Sequence, residues 1–242
     1  MTTPLYAIGD IHGQKAMLDT ALALIKADGG ADARIVFLGD YVDRGPESRA
    51  VIETLIRGRA EGRNWICLKG NHDRMFQWFM EDVPRHDPHM LVGLHWFHDR
   101  IGGTETAASY GISFDDHTRL QDIHQWAKAV VPPDHVAFLN ALPTSYETED
   151  LIFVHAGIRP CIPLAEQTEE DLVWIRQTFH DHTAPHPKLI VHGHTPVDHA
   201  THYGNRINLD TGAGYNNPLS TAVFEGTECW LLTDAGRVPL RP

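Results

Sequence analysis

Residues 34–45, RIVFLGDYVDRG, decide how the chain is read. RIVFL (Arg34–Leu38) is an apolar run with the length of a buried strand. GDYVDRG (39–45) follows at once and brings Asp40, Asp43 and Arg44 to the strand's end. Three charges there are expensive if buried and unnecessary if exposed. Their purpose has to come from other segments that end in the same place.

Working outward, LYAI (Leu5–Ile8) runs into Gly9-Asp10-Ile11-His12-Gly13, and WICL (Trp65–Leu68) into Lys69-Gly70-Asn71-His72-Asp73. LIFV (Leu151–Val154) runs into His155-Ala156-Gly157, and KLIV (Lys188–Val191) into His192-Gly193-His194-Thr195. Helical spacing joins the first runs. Ala16–Ala27 repeats apolar residues at helical intervals up to Gly29-Gly30, and Pro46 and Glu47 open a second helix carrying Val51, Ile52, Leu55 and Ile56. Strand–helix–strand–helix–strand predicts βαβ units in an α/β fold. Closely spaced later runs (Arg206–Leu209, Thr221–Phe224, Glu228–Leu232) predict hairpins and a mixed sheet. Residues 76–145, rich in Trp, Phe, His and Pro, read as a helical insertion.

Composition narrows the function. The 242 residues suit one sizeable core. A formal charge of −12 disfavours a nonspecific nucleic-acid binder, so no nucleic-acid partner is expected. Thr2, Thr3 and Pro4 lead directly into the first strand, so no leader is expected, and no apolar stretch suggests a membrane span. Cys67, Cys161 and Cys229 are scattered and read as reduced thiols, which places the chain in the cytoplasm.

Five strand tips carrying carboxylate, imidazole or carboxamide groups beside glycine converge on one sheet edge, where α/β folds bind ligands. That donor mixture suits Mn, Fe or Zn better than Ca or Mg alone. Two such ions sharing a carboxylate clamp an in-line displacement at phosphorus. GDIHG (9–13), GDYVDRG (39–45), GNHD (70–73), HAG (155–157) and HGHTP (192–196) resemble the ordered signature of the calcineurin-like metallophosphoesterases. Within that superfamily they resemble the phosphoprotein phosphatase branch, in its short bacterial and phage form.

The resemblance implies a four-layer α-β-β-α sandwich of two mixed sheets, as a single domain over residues 1–242 with the insertion at 76–145. It implies two divalent ions, Mn first, with Asp10 and His12 on one metal, Asp40 bridging, and Asn71, His155 and His194 on the other. Gly193-His194-Thr195-Pro196 lacks the second histidine of the superfamily's GHxH motif, as the phosphoprotein phosphatase branch does. His192 is then a strand-end residue supporting the site. His72 becomes the general acid, with Asp43 holding its ring; the alternative for Asp43 is a cap on the following helix. Arg44 binds phosphate, and Val173-Trp174-Ile175-Arg176 resembles the element supplying a second arginine, Arg176, with Arg159 as the fallback. Asp210, in Asp210-Thr211-Gly212-Ala213, is expected to buttress the site and to bond a ligand imidazole.

Trp96…Gly102-Gly103-Thr104…Ser109-Tyr110-Gly111 resembles a stretch of the bacterial members, without an assigned role. Phe76, Trp78, Phe79, Trp96 and Phe97 read as helical core or as a substrate groove. The function expected is a serine/threonine, or dual-specificity, protein phosphatase; the alternative is a hydrolase of dinucleoside polyphosphates or another small phosphate compound. Asp43 favours the first, because symmetrical dinucleoside tetraphosphatases generally lack it. GNHD departs from the GNHE commoner in eukaryotic protein phosphatases and counts against that class. A non-catalytic scaffold would have lost a ligand, and none is missing.

Overall fold

The computed structural model describes residues 3–92 and 94–242; Met1, Thr2 and Gly93, which fall within the expected domain and insertion, lie outside it. The first elements alternate as the periodicity predicts: β1 (Leu5–Ile8), α1 (Lys15–Gly29), β2 (Arg34–Phe37), α2 (Ser48–Ala60) and β3 (Trp65–Cys67). Gly30, at φ 82°, ends α1. The three strands pair in parallel, with Tyr6 opposite Ile35 and Ile35 opposite Trp65.

The helical stretch comprises α3 (Asn71–Phe79), α4 (Gly103–Ser109), α5 (Leu120–Val130) and α6 (Pro133–Asn140). The remaining elements are β4 (Ser145–Glu147), β5 (Leu151–Val154), α7 (Glu169–Trp174), α8 (Gln177–His180), β6 (Leu189–His192), β7 (Thr201–His202), β8 (Arg206–Asn208), β9 (Thr221–Glu225), β10 (Glu228–Thr233) and β11 (Gly236–Leu240). No helix among the described residues is long and apolar enough to cross a membrane.

Two mixed sheets result, ordered β11-β10-β9-β1-β2-β3 and β4-β5-β6-β8-β7. Alternation along each strand assigns its two faces. Leu5 and Ala7 of β1, Val36 of β2 and Phe224 of β9 pack with Leu151 and Phe153 of β5, Val191 of β6 and Ile207 of β8 between the sheets. Tyr6, Ile8, Ile35 and Phe37 turn the other way, onto Leu18 and Ile25 of α1 and Val51, Ile52 and Leu55 of α2. Ile152, Val154 and Ile190 do the same for the second sheet, against Leu172 and Phe179. This is the four-layer sandwich expected.

Most of the aromatic residues at 76–97 form core rather than a groove. Phe76, Phe79, Trp96 and Phe97 are buried, with Phe76 stacked on Trp96 at 5.1 Å and Phe79 edge-on to Phe97 at 5.1 Å. Trp78 instead faces two guanidinium groups, Arg74 at 4.5 Å and Arg85 at 4.1 Å.

Candidate metal centre and active site

Asp10 and His12 follow β1, Asp40 follows β2, Asn71 and His72 follow β3, His155 follows β5 and His194 follows β6. All seven are buried. Asp40 lies at their centre. Its Oδ2 is 3.5 Å from His12 Nε2 and 3.4 Å from His155 Nε2, and its Oδ1 accepts the His72 backbone N–H at 2.9 Å. Asn71 Oδ1 is 2.9 Å from His155 Nε2 and 2.8 Å from His194 Nδ1. Donor atoms of His12, Asp40 and His72 lie within 4.8 Å of one another, and so do those of Asp40, His155 and His194.

The chemistry of these donors fits divalent cations. His12 Nδ1–H donates to the Val42 carbonyl (2.8 Å) and His155 Nδ1–H to the Leu38 carbonyl (2.9 Å). Each ring therefore turns a lone pair on Nε2 toward the Asp40 carboxylate. Burial pushes His155 down to about 4 and His12 well below the usual imidazole range, so neither ring carries a proton to bridge the gap at neutral pH. Asp10 Oδ2 accepts from the His194 backbone N–H at 3.0 Å, but its buried Oδ1 has no protein partner. Burial, together with the charges of Asp210 and Asp40, drives Asp10 well above the carboxylate range, and burial drives Asp40 up to about 8. Facing lone pairs and crowded buried carboxylates are what bound cations relieve.

The backbone is bent to make this cluster. His12, Asp40, Asp43, Arg44 and His194 all have φ between 47° and 72°, the left-handed region that non-glycine residues rarely enter. The neighbouring glycines leave room for the ligands: a Cβ on Gly70 would run into Asp40 Oδ1, and one on Gly193 into Asp10 Oδ1.

Asp73 fixes the Asp40 turn. Its Oδ2 accepts N–H bonds from Asp40 (2.8 Å) and Gly70 (2.9 Å), and its Oδ1 accepts from Tyr41 (2.9 Å). Sequence reading gave Asp73 no role, although the third position of a helix's first turn is where an acidic residue reaches back to free amides. It also did not read α3 as starting at Asn71, so that the ligand and its neighbour His72 open a helix.

Asp43 does not cap α2 with its carboxylate. Oδ2 meets His72 Nδ1 at 2.6 Å and accepts from Trp96 Nε1 at 2.9 Å, while Oδ1 accepts from Thr106 Oγ1 at 2.7 Å. Trp96 and Thr106 belong to the stretch left without a role, and their side chains supply one. Burial pushes Asp43 up to about 7, opposed by the hydrogen bonds from Thr106 and Trp96. Arg44 spans both histidines, with Nη1 2.6 Å from His12 Nε2 and Nη2 3.0 Å from His72 Nε2, and its guanidinium lies 4.9 Å from the Tyr215 ring. Since a guanidinium only donates, His72 Nε2 is an acceptor here and Nδ1 carries the proton to Asp43.

Arg176 Nε donates to His194 Nε2 at 3.1 Å. Arg159 pairs with Asp171 at 2.7 Å on the surface and does not line the cleft. Asp210 Oδ1 accepts from the Gly212 amide at 2.9 Å rather than from a ligand imidazole. His192 is buried, but its Nε2 accepts from Arg206 at 3.1 Å and its ring sits edge-on to Phe179, away from the donor cluster. Arg44, Asn71, His72 and Arg176 open onto a cleft of about 780 Å³, lined also by His89, Met90, Leu94, Ile101, Trp174 and Tyr215.

Comparisons with known proteins bear on the family and the fold. The family model described as calcineurin-like phosphoesterase matches residues 3–219. An asymmetrical bis(5'-nucleosyl)-tetraphosphatase, PrpE of Anoxybacillus flavithermus, is 26% identical over 243 residues, covering 91% of this chain and 90% of its own. A symmetrical bis(5'-nucleosyl)-tetraphosphatase of Methylococcus capsulatus is 45% identical over 69 residues, 28% of this chain and 23% of its own. The cold-active protein-tyrosine phosphatase of a psychrophilic Shewanella superposes with a TM-score of 0.64 at 17% identity, covering 100% of this chain and 81% of that one. A protein serine/threonine phosphatase of Saccharomyces cerevisiae gives 0.56 at 16% identity, covering 98% and 76%. At these identities the solved structures speak for the fold.

Proposed function

We propose, for a chain that belongs to the calcineurin-like phosphoesterase family, that its metal-dependent hydrolysis of phosphate esters is directed at phosphoric monoesters, with phosphoserine and phosphothreonine of proteins as the leading class and phosphotyrosine beside them. The observation that carries this reading is the buried Asp43–His72 pair at 2.6 Å, itself held by Trp96 and Thr106. An alkyl phosphate has a poor leaving group and needs a proton delivered to the departing oxygen. A nucleotide leaving group needs far less help, so a clamped acid points to monoesters.

Asp10, His12, Asp40, Asn71, His155 and His194 would hold two divalent cations, Mn first and Fe or Zn in its place. Bound there, the cations supply a water acidic enough to act as nucleophile near neutral pH and offset charge on the phosphoryl oxygens. Arg44 and Arg176 flank the cleft floor and bind those oxygens through their planar donor forks. With Arg44 on His72 Nε2, burial and the guanidinium keep His72 well below the usual imidazole range. Once Arg44 turns from that nitrogen to the phosphoryl oxygens, the charge of Asp43, which accepts a hydrogen bond from His72 Nδ1, would hold a second proton on Nε2. As the P–O bond breaks, that proton passes to the leaving serine or threonine oxygen.

Hydrolysis of dinucleoside polyphosphates is the second reading. The near-full-length match to an asymmetrical tetraphosphatase favours it, and a cleft of about 780 Å³ holds much more than a phosphoryl group. A Mn-loaded comparison of phosphopeptides, diadenosine tetraphosphate and bis-aryl phosphate separates the two. Rapid cleavage of the tetraphosphate with inert phosphopeptides would sink the monoesterase reading.

Trp96→Phe keeps a smaller aromatic ring in the core and removes one N–H from Asp43. It is expected to lower kcat on a phosphoserine peptide by about tenfold and to leave aryl phosphate hydrolysis within about twofold, because only the poor leaving group depends on a well-held acid. Equal losses on both substrates would show that Trp96 acts through packing alone.

A further inference from the structure

We propose that Asp87 is a positioning residue that aims Arg176 at the phosphate by tying the Trp174–Arg176 segment to α3; this rests on the reading of Arg176 as a phosphate ligand. Asp87 is 1% exposed and lies outside the donor cluster. Its Oδ2 accepts from Arg74 Nε (3.0 Å), Arg74 Nη2 (2.8 Å) and Trp174 Nε1 (3.0 Å). Its Oδ1 accepts the His89 backbone N–H at 3.0 Å. One buried carboxylate thus joins α3, the loop that walls the cleft, and the end of α7.

The three partners lead straight to the site. Arg74 is itself buried and sits three residues along α3 from Asn71. Trp174 is wedged between His89, stacked at 5.5 Å, and His194, edge-on at 5.6 Å. Two residues on, Arg176 reaches His194. Ile175 and Arg176 lie between α7 and α8 with backbone angles of neither helix (φ −56°, ψ 140° and φ −131°, ψ −97°). The direction of Arg176 is therefore set by what holds Trp174, and the only hydrogen bond of its indole among the described residues goes to Asp87.

Stability is a poor reason for this arrangement. A buried ion pair repays little of its desolvation, and an apolar trio of similar size would serve a core as well. A charged carboxylate with fixed donors instead gives direction. Arg74 Nη1 at 3.9 Å and His89 Nε2 at 2.7 Å from the carboxylates of Glu169 and Glu170 attach the same unit to the start of α7. Both ends of the short helix are thereby tied to the α3 side of the cleft.

A mutant cycle tests this on the metal-loaded protein. Asp87→Asn keeps an acceptor without the charge, and Trp174→Phe removes the indole N–H together with part of the ring's bulk. Each is expected to weaken inhibition by inorganic phosphate about tenfold and to raise KM for an aryl phosphate more than it lowers kcat, as a misaimed binding group does. In an Arg176→Ala background neither should have any further effect on the phosphate constant. Unchanged phosphate inhibition in both single variants, with only a lower Tm, would overturn the proposal, and so would undiminished effects in the Arg176→Ala background. If Arg176→Ala alone leaves phosphate inhibition intact, the reading of Arg176 fails first and takes the proposal with it.

Discussion

Replacing His72 by Asn is expected to lower kcat on a phosphoserine peptide by about 10²–10⁴-fold, the range a positioned general acid supplies. Hydrolysis of an aryl phosphate should fall by about tenfold or less, since its leaving group departs without a proton. Metal content should stay at the wild-type level. His72 Nδ1 is committed to Asp43, and Asn71, His155 and His194 keep their places on α3 and the second sheet. Turnover of alkyl phosphates near the wild-type rate would remove His72 from the chemistry. A parallel loss of bound metal would move it among the ligands, where its distance to His12 and Asp40 would also allow it.

Asp73→Ala is expected to give the largest loss of stability. It strips the acceptor from three N–H groups, those of Asp40, Tyr41 and Gly70, in a region sealed from water. A buried donor left without a partner costs about 1–3 kcal/mol, and neighbouring losses are not additive, so about 4 kcal/mol is the expected total. For a chain of this size that is roughly a 10 °C fall in Tm. Metal retention should fall with it, because the Asp40 turn loses its anchor. Asp73→Asn, which keeps one acceptor oxygen, should do about half the damage. A Tm within about 2 °C of wild type for the alanine variant would show that water replaces the carboxylate.

The sheet and the donor set were legible because both follow short-range rules. Apolar runs of strand length ended in Gly-Asp, Gly-Asn or His-Gly, and each run became a strand delivering its polar residue to the same edge. The edge strands β4, β7 and β11 were missed: they are short, and β11 carries Pro239 and alternates weakly. α3 was hidden because its first turn is spent on Asn71, His72 and Asp73, which look like loop residues when read in order. Trp96 and Thr106 were unreadable as partners of Asp43, from which they lie 53 and 63 positions away. No periodicity links residues at such distances. Asp87 was hidden for the same reason, 87 positions from Trp174.

His12, Asp40, Asp43, Arg44 and His194 hold left-handed backbone angles that glycine would adopt freely. The strain is roughly 1 kcal/mol for each such residue. A glycine would relax the backbone at any of the five, but at Asp40 and Asp43 it would also strip the acceptor from buried N–H groups of His72 and Trp96. The strain and the hydrogen bonds therefore come as one unit: the side chains that bend the backbone also satisfy the buried donors around them.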